Sequence, residues 1–392
     1  MVLEDLSSNE KVYVLLSAKI TAWLSRKAKR LGKYSQLSKE FARMRAGQKV
    51  SLNFALKLTK CLGVSSDALQ DNIELISSCK STDVGIKNPK IPFDFSNTTG
   101  ARFIAAIQGD GYFNKFLQCG YSNQDKKMIE KVLCSAKEIF GGLDYKIYFR
   151  EDNTFHLNFP KVVGLILGKT GLKPGYKYIS NPAIPDFILN SEEGIKTSYL
   201  RQFFSDEGNV RKKDRRIQVK QTVLCNVDKE TAKRGPEKFS PNVLLGCKIL
   251  LQDIGIDSKI SLGAYRKTPK GNKTDWELSF YRIENLKKFQ ELVGFEQEYK
   301  NNALAGAIES YKFPSAARNG KIDFALKNCK IVQSGFGFID KKKLATQSSR
   351  SLKTATYYLV ELKKKGLVEI IEKPKRKDGR YLLFKYKLMD RQ

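Results

Sequence analysis

Residues 103–112 read F-I-A-A-I-Q-G-D-G-Y, and residues 199–209 read Y-L-R-Q-F-F-S-D-E-G-N. Each is a helical segment that stops at an acidic residue, Asp110 or Glu207, followed at once by glycine. Glycine has no Cβ, so it lets a helix end and the backbone turn into a strand where another residue would clash. A carboxylate at a helix C-terminus opposes the helix dipole, so two such acids are locally unfavourable without a nearby cation. Around both stretches the order helix, strands, helix is expected: 101–107, 112–121 and 125–140, then 197–204, 217–222 and 241–254. The repeat is one of architecture more than of identity.

Composition frames the partner. The 392 residues hold 71 lysines and arginines against 41 acids, a formal charge of +30. Solubility needs far less, and a polyanion is the natural partner. At about 100–200 residues per domain the length allows two to four domains. Hydrophobic residues make up 41%, and no stretch approaches the roughly 20 uninterrupted apolar residues of a membrane span. The opening Met1-Val2-Leu3-Glu4-Asp5 lacks a secretory pattern, so the expected location is the cytoplasm. Seven scattered cysteines without a C-x-x-C pair argue against zinc or a disulfide framework. His156 is the only histidine, which removes histidine-pair nucleases and serine–histidine triads. In T-F-H-L-N-F, residues 154–159, it alternates with aromatics along a strand and reads as structural.

The flanks differ from the centre. Residues 1–85 read as a small helical domain, with helices over 20–31, 35–45 and 51–62 punctuated by Gly32 and Gly47. Residues 43–69, R-M-R-A-G-Q-K-V-S-L-N-F-A-L-K-L-T-K-C-L-G-V-S-S-D-A-L, resemble the second half of a repressor-type helix-turn-helix. That resemblance implies a recognition helix over 34–45 presenting Gln36, Lys39 and Arg43 to a major groove. A solvated basic helix in a packing domain has the same pattern. Residues 86–100 read as a linker, a central domain is expected over 101–312, and residues 313–392 hold a second linker and a last domain. There, helices over 322–332, 340–347 and 352–364 precede strands over 367–372 and 381–388. Residues 340–370, D-K-K-K-L-A-T-Q-S-S-R-S-L-K-T-A-T-Y-Y-L-V-E-L-K-K-K-G-L-V-E-I, resemble a winged helix. The resemblance implies Arg350, Lys353, Thr354 and Tyr357 in a groove, with Lys375, Arg376 and Lys377 at the wing tip against phosphate. Winged helices also bind proteins, and that alternative stays open.

The two acid-ended helices resemble the motifs of the LAGLIDADG, or dodecapeptide (DOD-type), homing endonucleases. Their surroundings add to the likeness: A-I-P-D-F-I-L-N-S at 183–191 before the second motif, V-L-L-G-C-K-I-L-L-Q-D-I-G-I-D-S-K-I at 243–260 after it, and Y-S-N-Q-D-K-K-M-I-E-K-V-L at 121–133 in the first half. In that family the two helices pack along a pseudo-twofold axis. Each leads into a saddle-shaped antiparallel sheet that lies in the DNA major groove. The resemblance covers roughly half the chain and implies an α+β fold: two pseudo-symmetric half-domains, about 101–190 and 191–312, in a monomer flanked by the helix-turn-helix and winged-helix modules. It implies that Asp110 and Glu207 are the catalytic, metal-binding pair and that the backbone carbonyls of Gly109 and Asp206 are further ligands. It also implies Mg2+ or Mn2+ as cofactor, which suits hard oxygen ligands. Double-stranded DNA is the implied substrate, cut to short 3′ overhangs. Lys220, in I-Q-V-K-Q-T, and Gln124 are the candidates for the basic and amide side chains near the scissile phosphates. One departure concerns the helix contact: the first motif has the small Ala105 and Gly109 there, but the second has Gln202 and Asp206.

The leading expectation is a free-standing site-specific endonuclease, since Met1 and the closing Met389-Asp390-Arg391-Gln392 lack the residues of a self-splicing element. A noncatalytic DNA-binding transcriptional regulator that kept the fold is the alternative, and an RNA-processing cofactor is a third reading. All three share one expected outcome. Affinity for a nucleic-acid duplex falls steeply between low and physiological salt, because each phosphate contact releases counterions. A filter-binding or anisotropy titration across salt checks it, and a flat response contradicts it.

Overall fold

The computed structural model describes residues 1–6, 11–31, 39–269, 271–311, 320–348, 350–374 and 383–389, apart from the side chain at position 213. The chain divides into two compact units, Met1–Ala307 and Ile308–Gln392. The architecture is mixed α/β, with antiparallel sheets. Among the described residues no helix is long and apolar enough to cross a membrane.

The first unit begins with the short helix Leu3–Leu6 and strand β1 (Tyr13–Leu16), then helices Ala18–Arg30 and Lys39–Arg45, strand β2 (Val50–Ser51), helices Leu52–Cys61 and Ser66–Gln70, and strands β3 (Ile73–Ser77) and β4 (Ile86–Pro89). Serine side chains at 17, 51 and 65 accept from backbone N–H groups at three of these helix starts, which fixes where each helix begins. Helix Thr98–Gln108 follows, capped by Asn97, whose Oδ1 accepts from Gly100 N–H at 2.8 Å. Then come β5 (Gly111–Phe113), β6 (Cys119–Asn123), helix Lys126–Phe140, β7 (Gly141–Leu143), β8 (Lys146–Phe149) and β9 (Phe155–Asn158). Helix Lys126–Phe140 buries Met128, Ile129, Val132, Leu133, Ala136, Ile139 and Phe140, the one-face spacing of an amphipathic helix.

The expected all-helical residues 1–85 are corrected by this structure. β1 and β3 pair antiparallel, Val14 opposite Ile76, and β4 pairs with β7, Ile86 opposite Leu143, in a sheet ordered β2-β1-β3-β4-β7. Strands whose partners are distant in sequence leave little trace in local periodicity, which is why the helices alone were expected. Residues 86–100 likewise supply a strand and two buried rings instead of a free linker. Phe93 and Phe95 pack on Phe140, with ring centroids 5.4 and 5.9 Å away.

The rest of the unit repeats the helix-then-sheet order. Helix Glu193–Glu207 leads into β10 (Gly208–Arg211) and β11 (Arg216–Cys225). After helix Asn242–Asp253 come β12 (Lys259–Thr268) and β13 (Gly271–Phe280), and helices Ile283–Leu292 and Glu298–Glu309 follow. The two four-stranded sheets are ordered β5-β6-β9-β8 and β10-β11-β13-β12. In both, the strand leaving the helix forms one edge and the third and fourth strands are exchanged. Strand alternation puts Ile217, Val219, Val223, Thr274, Trp276, Leu278 and Phe280 on the buried face of the second sheet, while Lys220 and Lys273 lie on the opposite face.

The second unit has its own core. Helices Lys321–Phe336, Lys341–Gln347 and Leu352–Lys364 enclose Cys329, Val332, Leu344, Tyr358, Leu359 and Leu362. β14 (Val368–Glu372) and β15 (Lys385–Leu388) pair antiparallel beside them, and Ile339 bridges to Tyr386.

Phe140 joins the rings of Phe93, Phe95 and Phe103 and is fully buried. Phe140→Ala is expected to cost about 3–5 kcal/mol in unfolding free energy. Urea denaturation followed by circular dichroism checks this, and a loss under about 1 kcal/mol contradicts the packing described.

Candidate functional site

Helices Thr98–Gln108 and Glu193–Glu207 pack against each other. Tyr199 Oη donates to Gln108 Oε1 at 2.7 Å, and the Gln108 amide donates onward to the Ala183 carbonyl at 2.8 Å. At the C-terminal ends the approach is closest. A Cβ placed on Gly109 would lie 2.5 Å from Asp206 Oδ2, so only glycine leaves room for that carboxylate. The glycines after the acids are also sterically required: a Cβ on Gly111 would sit 2.6 Å from the Ala106 carbonyl oxygen, and one on Gly208 would run into that of Phe204. Gln202, the large residue on the second helix, is fully buried and donates to both Asp206 carboxylate oxygens at 3.0 and 3.1 Å. One helix thus supplies the space that the other fills with polar side chains.

Three carboxylates cluster here, each partly buried. Asp206 Oδ1 accepts from Tyr121 Oη at 2.6 Å, and the Asp110 backbone N–H also hydrogen-bonds Asp206. Asp110 Oδ2 accepts from Asn123 Nδ2 at 2.8 Å, and Gln221 hydrogen-bonds Glu207. Lys177 and Lys300 stand on the same site. Lys177 Nζ donates to the Gly109 carbonyl and Lys300 Nζ to the Ser205 carbonyl. Burial pushes the Asp110 carboxyl above its ordinary range, against the pull of Lys177 and Lys300. Glu207 is raised for the same reason, again opposed by Lys177. Asp206 is raised furthest in kind, by burial and by the neighbouring Asp110 charge. Both ammonium groups are lowered by burial, with the three acids pulling them back up. These are the marks of charges held in a low-dielectric site, where each counter-charge weighs more than in water.

The sequence-based site residues divide accordingly. Gly109, Asp110, Asp206 and Glu207 are brought together. The Gly109 carbonyl is engaged by Lys177, and the Asp206 side chain is taken up by Tyr121 and Gln202. Lys220 and Gln124 are exposed, and their immediate neighbours Gln221 and Asn123 face the acids instead. A one-residue step along a strand reverses the face, so Lys220 looks out of the second sheet, opposite Glu277. Lys177, Lys300, Tyr121, Asn123 and Gln221 were not anticipated. The recurrence of an amide on the second strand of each sheet is the signal that could have found two of them, Asn123 and Gln221. Lys39 is exposed, and Arg43 pairs with Glu40 at 2.9 Å. Arg350 lies 5.1 Å over the Phe324 ring, and Lys353 and Tyr357 are exposed. The Thr354 hydroxyl is 2.9 Å from Ser351 Oγ. Gln36, Lys375, Arg376 and Lys377 lie outside the described residues.

Fold and site define a class: paired antiparallel sheets whose leading helices meet at a shared, partly buried acidic cluster flanked by two lysines. Residues 194–294 match the family model described as a LAGLIDADG-like domain. Solved structures similar to the chain include full-length DUF199/WhiA from Thermatoga maritima, at 12% identity over 70% of this chain and 93% of that one, TM-score 0.35. I-DmoI in complex with DNA and Ca is similar at 13% identity over 54% and 99%, TM-score 0.34. The homing endonuclease I-WcaI bound to its DNA recognition sequence is similar at 16% identity over 53% and 87%, TM-score 0.30. No curated protein sequence matches the chain.

The buried acids carry a pH signature. Because Asp110 is raised from an ordinary 3.8, the folded state keeps a proton that the unfolded chain releases as pH rises past that value. Wild-type stability contributed by this group is therefore lost between 3.8 and the raised folded value. Asp110→Asn does not titrate, so it is expected to gain on wild type across that window and hold a constant advantage above it. Urea unfolding of both proteins in metal-free buffer over a pH series checks the sign, and a gain that grows toward acid contradicts it.

Proposed function

We propose that the chain is a site-specific endonuclease, a monomer whose two pseudo-symmetric LAGLIDADG half-domains cut double-stranded DNA at one long asymmetric site with a divalent metal ion. The observation that carries this reading is the meeting of Asp110 and Glu207, each at the end of one of two packed helices, in one partly buried site bordered by Lys177 and Lys300. The like strand orders of the two sheets support the half-domain reading. Arg211, Lys220, Lys259, Arg266 and Lys273 share the outward face of the second sheet with Asp275, which pairs with Arg266, and Glu277, and the excess of cations suits phosphate. Lys39 and Arg43 on a helix-turn-helix, and Lys353 and Tyr357 on a winged helix, extend the DNA contacts in this reading.

The donor set fits a hard cation. Mg2+ is typically held by one or two carboxylates and completes its shell with water and substrate phosphate. Among the described residues no group of three or more His, Cys, Asp and Glu side chains is arranged to hold a metal, so Asp110 and Glu207 would share Mg2+ or Mn2+ with neighbouring carbonyls. When bound, such an ion supplies Lewis-acid neutralisation at the scissile phosphate. The remaining work belongs to the chain. Asn123 and Gln221 fix the orientation of the two carboxylates. Lys177 and Lys300 draw the phosphate toward them and balance the charge that grows on the leaving oxygen. Packing of the helix ends holds all of these groups in place before substrate arrives.

The second reading, a noncatalytic DNA-binding regulator, is favoured by one observation. Lys177 and Lys300 already give the three acids counter-charges, so the cluster is balanced in part without an added ion. Asp110→Asn and Glu207→Gln separate the two readings. Each is expected to lower double-strand cleavage at least about 100-fold while specific binding changes little, since charge is removed but shape is kept. The assay is plasmid cleavage with Mg2+ or Mn2+ beside a gel shift, on a site selected from a randomised duplex library. Cleavage by either variant at the wild-type rate overturns the catalytic assignment, and a wild type that binds tightly without cutting supports the regulator.

A further inference from the structure

A cavity of about 880 Å³ opens beside the acidic site, sharing Gly111 and Lys177 with it. Tyr112, Phe113, Phe116 and Tyr176 supply ring surfaces to its wall, and Lys115 adds a second cation. Two of these rings are unusually exposed: Tyr176 at 71% and Phe116 at 61%. Their positions are built into the backbone. Asn114 Oδ1 accepts from the N–H groups of Phe116 and Gln118 at 2.9 and 3.0 Å, which holds the turn that carries Phe116. Gly175 N–H donates to the Phe113 carbonyl at 2.7 Å, which ties the loop before Tyr176 to β5. Gly175 has a φ of +120°, a conformation that suits glycine and lets that loop fold over the strand. Tyr112 Oη donates to Asn158 Oδ1 at 2.8 Å, so its ring is fixed.

Exposed aromatic faces on a rigid frame, with ammonium groups at the rim, suit a planar base joined to an anionic backbone. Base–aromatic stacking tolerates any sequence, and the lysines complement phosphate. We propose that this cavity receives one unstacked nucleotide of the bound DNA, its base against Phe116 and Tyr176 and its phosphate toward Lys115 and Lys177. This rests on the chain being a DNA-binding protein, as read above. Position supports the occupant: Gly111, on the cavity wall, follows Asp110 directly, and Lys177 on the same wall donates to the Gly109 carbonyl, so a strand with a phosphate near Asp110 has a base within reach of the pocket.

The test compares a labelled 30-base-pair duplex of random sequence with the same duplex carrying a central one-nucleotide bulge, both titrated by fluorescence anisotropy against the full-length protein. Wild type is expected to prefer the bulged duplex by about tenfold, the scale of one base stack. Phe116→Ala/Tyr176→Ala should lose that preference and bind the perfect duplex as wild type does, while Tyr176→Phe, which keeps the ring, should retain it. Thermal unfolding of each variant excludes loss of fold. Equal wild-type affinity for the two duplexes, or a preference that survives the double substitution, overturns the pocket and leaves DNA binding standing. Failure to bind either duplex overturns the DNA reading itself.

Discussion

The Asp206 carboxylate occupies the volume that a side chain at position 109 would need, and much of the site follows from that exclusion. Because Gly109 yields the space, the ends of helices Thr98–Gln108 and Glu193–Glu207 approach closely enough for Tyr121, on β6, to bond Asp206. The same approach lets the Asp110 N–H bond Asp206. A buried carboxylate without donors is costly by several kcal/mol. Here Tyr121, Gln202 and the Asp110 N–H meet that need, and they draw both halves of the unit onto a single anion. Asp206 is thus the structural member of the cluster, whereas Asp110 and Glu207 are each held by one side-chain amide.

That division separates the one acid that side-chain donors from both halves hold from the two that the proposed chemistry uses. Asp206 is raised well above the ordinary range by burial and by the Asp110 charge, so the folded chain gains by giving it donors. Asp110 and Glu207 keep lysine ammonium groups as electrostatic neighbours, and such groups move more readily than a packed hydrogen bond. The arrangement keeps a charged site poised inside a folded unit. The cost is stability at neutral pH, a common exchange at sites built to act on other molecules.

Much of this was legible in the sequence, and the exceptions have physical reasons. Two acid-ended helices followed by glycine, and the order of elements around them, are local patterns, and residues 126–140 carry a strong helical period. The bulky Gln202 and Asp206 looked unsuited to a close helix contact, yet close packing needs small residues on only one side, and Ala105 and Gly109 provide them. Lys177 and Lys300 reach the site from helices distant in sequence from both acids, and among 71 basic residues nothing local distinguishes them. Asn123 and Gln221 were missed by a single position each, because face parity along a strand depends on a register that pairing sets. The sheet through β1, β3, β4 and β7 was hidden for a related reason: the β1–β3 and β4–β7 pairings each span more than 50 residues, and the strands are short.

In the proposed function Asp110 and Glu207, from different helices, serve one shared metal position. Its most direct test is an anomalous difference map at the manganese edge, from crystals of the protein with cognate DNA and Mn2+. A peak is expected within about 2.0–2.3 Å of a carboxylate oxygen of both residues, beside a DNA phosphate. A site whose ions contact neither residue, or a carboxylate pair that instead stays bonded only to Lys177 and Lys300 at saturating Mn2+, would contradict it.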